Sequence, residues 1–159
     1  MVLFTARVEV DAPADRVWAT ITDWPAHGRW VPLTTVTVLT PSGEGVGARF
    51  VGRSGLGPLA FDDPMEVTRW QPPSGDLADG SGRPGECHVV KQGRVVLGEA
   101  WFEVTPLPGG RSAVAWTEDV QVAPVALTRP FGRLLALGGR LAFTRTLRAM
   151  GAEAAGSAS

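Results

Sequence analysis

Glu118 is the residue of this chain best placed to move a proton. It stands in a run whose alternate positions, Val114, Trp116 and Val120, are apolar. A strand here turns the Glu118 carboxylate toward the same interior as Trp116. A carboxyl group on an apolar face resists ionisation, so its pKa rises. Such a group can carry a proton in an aldol cyclisation or a dehydration. The alternative is a structural glutamate paired with an arginine, Arg145 or Arg49. His88 is the second candidate. Turned inward, it orients a ligand carbonyl or acts as acid and base; turned outward, it is a surface histidine. His27, two residues after Pro25, reads as a surface residue. Asp62 and Asp63 adjoin in one strand and face opposite ways, so one of them can look inward.

Other chemistries find no support in the residue pattern. There is no CxxC, no HExxH and no Cys/His cluster, so no metal is expected. The stretch GEGVGARF has glycines but no GK[ST] and leads into a strand; it reads as a hairpin turn, and no cofactor is implied. Neither His27 nor His88 lies in a recognisable nucleophile setting. The chain has 15 basic and 16 acidic residues and a net charge of −1, without the positive field of a nucleic-acid binder. Lys91 is the only lysine. Cys87 is the only cysteine, which excludes an internal disulfide and suits a reducing cytoplasm. No signal peptide opens the sequence, and no apolar run approaches the ~20 residues of a membrane span.

The elements that position these groups follow from periodicity. Residues 2–11 alternate apolar and polar, hence a half-buried strand. Pro13 suits a first helical turn, and Val17, Ile21 and Trp24 fall on one helical face. Pro25 breaks this helix, and a second short turn ends near Trp30. Strands are expected over 33–40, 46–53 and 59–70, with Pro64 marking an edge or bulge. Residues 71–85, rich in Pro, Gly, Ser and Asp, read as a long mobile loop.

One hairpin can be set in register. A three-residue loop, Pro108-Gly109-Gly110, pairs Leu107 with Arg111. Counting back, Val104 faces Val114, Phe102 faces Trp116, Ala100 faces Glu118 and Gly98 faces Val120. That side is apolar apart from Glu118; Glu103, Trp101 and Glu99 lie on the other. A two-residue loop would mix the two sets. Gly98 and Ala100 should leave space in front of the sheet.

The chain ends in one long predicted helix, 128–155, with Thr128 as its cap and Pro130 in its first turn. Leu127, Phe131, Leu134, Leu135, Leu141 and Ala142 form a stripe. Past Gly138-Gly139 the apolar set moves to Phe143, Leu147 and Met150, and a kink at the glycine pair would bring both stripes to the sheet. Arg129, Arg133 and Arg140 share one face, either simply solvated or apposed to an anionic membrane or acidic partner. Arg145 lies near the first stripe, placed to snorkel or to pair with a carboxylate.

Together these pieces resemble the START/Bet v 1-like superfamily (SRPBCC), in particular its bacterial polyketide cyclase/dehydrase-like members. The resemblance is carried by VEVDAPADRVWATITDWPAHGRWVP, FDDPMEVTRWQPP, GEAWFEVTPLPGGRSAVAWTEDV and FTRTLRAMGAEAA. It implies a single α+β helix-grip domain over residues 1–155: a curved antiparallel sheet wrapped around the C-terminal helix, with an apolar cavity between. Residues 156–159 are expected to be a disordered tail. The cavity is expected to involve Phe61, Met65, Phe102, Trp116, Glu118, Phe131, Leu134, Leu135, Leu141 and Arg145. The expected function is binding, with or without transport, of a small hydrophobic or aromatic molecule. The alternative is a polyketide aromatase/cyclase or dehydratase using Glu118 and His88. A third option is a module docking on a membrane or protein through its basic helix. The expected partner is a small hydrophobic ligand, and the protein a monomer or homodimer. Two convergent polar groups in the cavity would favour an enzyme; purely apolar walls would favour a carrier.

Overall fold

The computed structural model describes residues 1–156, without the side chains of Leu127 and Arg129. The expectations for those two side chains and for the tail 157–159 lie outside the described residues. Strand β1 (Val2–Val10) leads into helix α1 (Ala14–Thr22) and a 3-10 turn at Trp24–Arg29. Six strands follow: β2 (Thr34–Val38), β3 (Arg49–Ser54), β4 (Phe61–Gln71), β5 (Gly85–Gln92), β6 (Val96–Leu107) and β7 (Arg111–Val122). A short helix α2 (Val125–Thr128), a 3-10 turn and the long helix α3 (Gly132–Gly156) close the chain. All seven strands form one antiparallel sheet in the order β1-β7-β6-β5-β4-β3-β2. This is the α+β helix-grip architecture.

The β6–β7 register is the one the sequence predicts: Leu107 pairs with Arg111, Phe102 with Trp116, Ala100 with Glu118 and Gly98 with Val120. Alternation therefore sends Val104, Phe102, Ala100, Val114, Trp116 and Glu118 to one side, and all six are buried. The aromatic residues of this side meet those of the helical segments. Phe102 stacks on Trp116 at 5.0 Å, Trp24 on Phe50 at 4.3 Å, and Trp18 meets Trp70 at 5.2 Å. Offset and edge-on pairs of this kind add about 0.5–1.5 kcal/mol each beyond their buried area.

Several expectations are corrected. Pro64 marks no bulge. It sits opposite Val51 of β3, just beyond the end of the β4–β5 ladder, which begins at Met65, so it is paired on one side only; the irregularity comes later, between Val67 and Arg69. Gly98 does not open space in front of the sheet. It has φ +137°, and a Cβ there would collide with the Asp119 carbonyl, so backbone approach requires the glycine. The loop after β4 is tied by a Ser74–Arg83 bridge, and its Leu77 packs on the core.

The C-terminal helix differs most. Its long segment begins at Gly132, not Thr128, and Gly156 is its last residue. Thr128 is no N-cap: its hydroxyl donates back to the Val122 carbonyl. The first stripe does not reach the sheet: Phe131, Leu134, Leu135 and Leu141 are exposed. What faces β1 instead is the glycine side. A Cβ on Gly139 would sit 2.5 Å from the Phe4 ring, so the missing side chain lets helix and strand close up. One turn later Phe143 packs on the same ring at 5.3 Å. These contacts fix the helix rotation, and Leu134 and Leu141, about 140–160° round the axis from Gly139, are carried outward.

Candidate functional site

Between the concave sheet and the second half of α3 lies a cavity of about 240 Å³. Its walls are apolar and aromatic: Trp24, Val36, Phe50, Met65, Val89, Ala100, Trp116, Phe143, Leu147 and Met150. Four titratable groups line it as well: His27, Asp63, Lys91 and Glu118.

Alternation delivers three of them. Asp63 shares a face of β4 with Met65, Lys91 shares a face of β5 with Cys87 and Val89, and Glu118 shares a face of β7 with Trp116. The Lys91 ammonium stands 2.9 Å from Asp63 Oδ2 and 3.7 Å from Glu118 Oε2. Trp116 Nε1 donates to Glu118 Oε1 at 2.9 Å. Asp63 Oδ1 is buried with no hydrogen-bond partner among the described residues.

Burial and charge compete here. For Glu118, 4% exposed, desolvation raises the pKa more than Lys91 and the Trp116 hydrogen bond lower it. For Lys91, desolvation pulls the pKa down, but Glu118 and Asp63 together outweigh it and the net direction is up. The lysine therefore stays an ammonium, and the glutamate is biased toward holding a proton.

His27 reaches the cavity from the 3-10 turn after α1. Its Nε2 lies 2.7 Å from the Ile21 carbonyl. A carbonyl only accepts, so Nε2 carries the proton and Nδ1 is left as the acceptor of the neutral ring. Desolvation lowers the His27 pKa against the raising effects of the Ile21 bond and Asp23, and Lys91 lowers it further. The site thus combines a neutral imidazole, a cation and two carboxyl groups within apolar walls. This is equipment for proton transfer and for holding a developing oxyanion.

Of the residues predicted for the site, Met65, Trp116 and Glu118 line the cavity. Phe102 lies behind it, stacked on Trp116. Phe61 follows the alternation of Asp63 and Met65 but lies farther along β4, outside the lining. Phe131, Leu134, Leu135, Leu141 and Arg145 are exposed and line none of it. His88 is corrected: it points to the convex face, bonds to Glu86 at 2.5 Å and stacks on Trp101. Glu118 pairs with neither arginine proposed for it; Arg49 is held by Glu66 at 3.0 Å.

Sequence reasoning missed Lys91 and misplaced His27. Lys91 had only an ambiguous signal: it continues the phase of Cys87 and Val89, but Val90 is apolar on the opposite phase with His88, and no hairpin register decides between the two. His27 had none: in a 3-10 turn no periodicity distinguishes the buried side. Burial pushes the Cys87 thiol up to about 12, which removes it as a nucleophile near neutral pH. No group of three or more His, Cys, Asp or Glu able to hold a metal occurs among the described residues. Nor, among them, is any helix long and apolar enough to cross a membrane.

The profile of the family described as polyketide cyclase/dehydrase and lipid transport matches residues 1–155. The chain belongs to this family. A search of the curated proteins finds no match. Solved structures share the fold at low identity. A protein from Thermus thermophilus is 15% identical, with a TM-score of 0.72 over 99% of each chain. The ZhuI aromatase/cyclase from a Streptomyces species is 17% identical, with a TM-score of 0.65 over 96% of this chain and 92% of that one. Norcoclaurine synthase from Thalictrum flavum, in complex with dopamine and hydroxybenzaldehyde, is 16% identical, with a TM-score of 0.57 over 95% of this chain and 86% of that one.

Proposed function

We propose that this protein binds a small, largely apolar or aromatic molecule bearing a carbonyl or hydroxyl group in the cavity under α3. The carrying observation is the Lys91–Asp63–Glu118 cluster set into apolar walls. Apolar walls take the ligand's body, and the cluster fixes its polar end. A cavity of about 240 Å³ lies below the ~300–1,000 Å³ of ordinary ligand clefts, which favours a compact occupant over an extended chain.

The same cluster favours a second reading, catalysis of cyclisation or dehydration, over a passive carrier. Two or more convergent polar groups are what such chemistry needs. In a dehydration, a base (His27 Nδ1 or a carboxylate) takes the proton from the carbon next to a carbonyl. The Lys91 ammonium stabilises the enolate oxygen. The β-hydroxyl leaves as water with a proton from Glu118 as the carbon–carbon double bond forms. Among proteins of this fold, an aromatase/cyclase and a synthase holding two small aromatic molecules support this direction.

The test separates the two readings. Native mass spectrometry and Trp fluorescence should detect small aromatic ketones or phenols bound to the protein. Gly52→Val should block them, because its first added carbon meets only Met65 Cε at 3.4 Å and the Asp63 carbonyl at 4.0 Å and the rest extends at the cavity wall. Binding unaffected by that variant would place the ligand elsewhere and end the proposal. Turnover of a β-hydroxy ketone that Glu118→Gln abolishes, with binding retained, marks an enzyme; binding without turnover marks a carrier.

A further inference from the structure

The outward side of the last residue of the 3-10 turn and of the first half of α3 has no partner among the described residues. Phe131, Leu134, Leu135 and Leu141 recur at helical spacing and are 56%, 67%, 37% and 60% exposed. The helix cannot turn them inward, because Gly139 against Phe4 and Phe143 beside it already occupy the sheet. The apolar surface continues onto the edge strand: exposed Leu3 and Leu137 share a groove with Arg140 and Arg148. A contiguous apolar patch of this kind marks an interaction surface.

Charge decides what covers it. No acidic residue occurs between Asp119 and Glu153, whereas arginines stand at 129, 133, 140, 145 and 148 in a chain whose net charge is −1. Arg133, Arg140, Arg145 and Arg148 are all exposed. A second copy packed on this stripe by two-fold symmetry would bring two arginine rows together with no carboxylate on the helix face to pair them. An anionic bilayer suits both features at once. Its acyl boundary takes the leucines and its phosphates take the guanidinium groups.

We infer that the outward face of α3 docks in the interface of an anionic lipid membrane, with Phe131, Leu134, Leu135 and Leu141 inserted and the flanking arginines on the headgroups. This places the helix that roofs the cavity against the phase in which apolar molecules dissolve. The surface stands independently of what the cavity does.

Flotation of the full chain with phosphatidylcholine vesicles, with and without phosphatidylglycerol, is the test. The protein should float with phosphatidylglycerol vesicles, stay behind with pure phosphatidylcholine, and be released by added salt. Leu134→Asp with Leu141→Asp should lower the bound fraction at least about tenfold. Arg133→Glu with Arg140→Glu should lower it to a similar extent, since each basic residue near such a surface is worth about fivefold. All four positions are exposed, so the circular dichroism and melting of both variants should match the parent. No flotation, or flotation that neither variant reduces, overturns the inference. So does a dimer in light scattering that Leu134→Asp with Leu141→Asp dissolves, which would assign the stripe to a second copy. Binding to polyglutamate that the leucine variants leave unchanged overturns it in favour of an acidic protein.

Discussion

Strands β4 and β5 carry two clusters of charged groups, one on each face of the sheet. On the concave face Lys91 meets Asp63 at 2.9 Å and Glu118 at 3.7 Å. On the convex face Glu86 meets Arg69 at 2.9 Å and His88 at 2.5 Å. The geometry is comparable; the surroundings are not. The Lys91 side chain is 11% exposed and that of Arg69 54%. Water screens the outer cluster, so its pairs are worth about 0–1 kcal/mol. The inner cluster has lost its water, and each charge there depends on its partners. Ion-pair distance says little about function until it is weighed with solvent access, and the inner cluster alone adjoins a cavity.

The largest expected effect comes from removing the inner cation. Lys91→Met leaves two buried carboxyl groups without a counter-charge and should cost about 3–5 kcal/mol in urea unfolding near neutral pH. The sign with pH is fixed. Glu118 takes up its proton more readily as pH falls, so acidification should return part of the loss. In the parent, the raised Lys91 pKa means that its contribution is fully present below 10.5 and lost as pH climbs through the folded value. A loss below about 1 kcal/mol would show that the inner pair is screened like the outer one.

His27 gives the next effect. Its folded pKa lies below 6.5, so the native state resists the proton that the unfolded chain accepts. Stability should fall as pH drops through 6.5 toward the folded value, by up to about 1.4 kcal/mol per pH unit. His27→Gln should flatten that slope. The groups facing it, Asp23 and Lys91, are unchanged in the variant, so a slope that persists would come from elsewhere.

The contrast between the two faces also explains what the sequence could reveal. Period-two alternation, with the Pro108-Gly109-Gly110 turn, set the β6–β7 register and with it the inward aim of Glu118, because one apolar set excludes every other pairing. The aim of His88 and of Asp62 and Asp63 was illegible, because β4 and β5 are joined by a 13-residue connection, 72–84, that fixes no register. The stripe of α3 misled for a related reason. Apolar periodicity names a helix face but not what that face meets, and here small Gly139 beside Phe4 won the sheet over the leucines. Cavity-lining residues come from strands β2 to β7, the 3-10 turn and α3 with no common spacing, so only their assembly identifies them.

Glu118→Gln sharpens the comparison with a smaller change in stability. The amide oxygen can still accept from Trp116 Nε1, and the buried charge is gone, so unfolding should move by about 1 kcal/mol or less near neutral pH. The pH profile should change more. In the parent, the raised Glu118 pKa makes stability decline as pH rises from 4.5 toward the folded value, and the variant should lose that decline. A parent profile already flat there would show that Lys91 offsets desolvation fully.

Glu86→Gln is the smallest and completes the contrast. It removes the acceptor shared by Arg69 and His88 on the convex face, where both partners keep contact with water. The loss should be about 0–1 kcal/mol and should fade with added salt, because exposed pairs are screened over about 10 Å at ordinary ionic strength. Ligand affinity and any turnover should stay at parental values, since the sheet itself separates Glu86 from the cavity. If Glu86→Gln weakened ligand binding as Lys91→Met should, the two faces of β5 would be energetically coupled. The division between a working concave side and a solvated convex one would then fail.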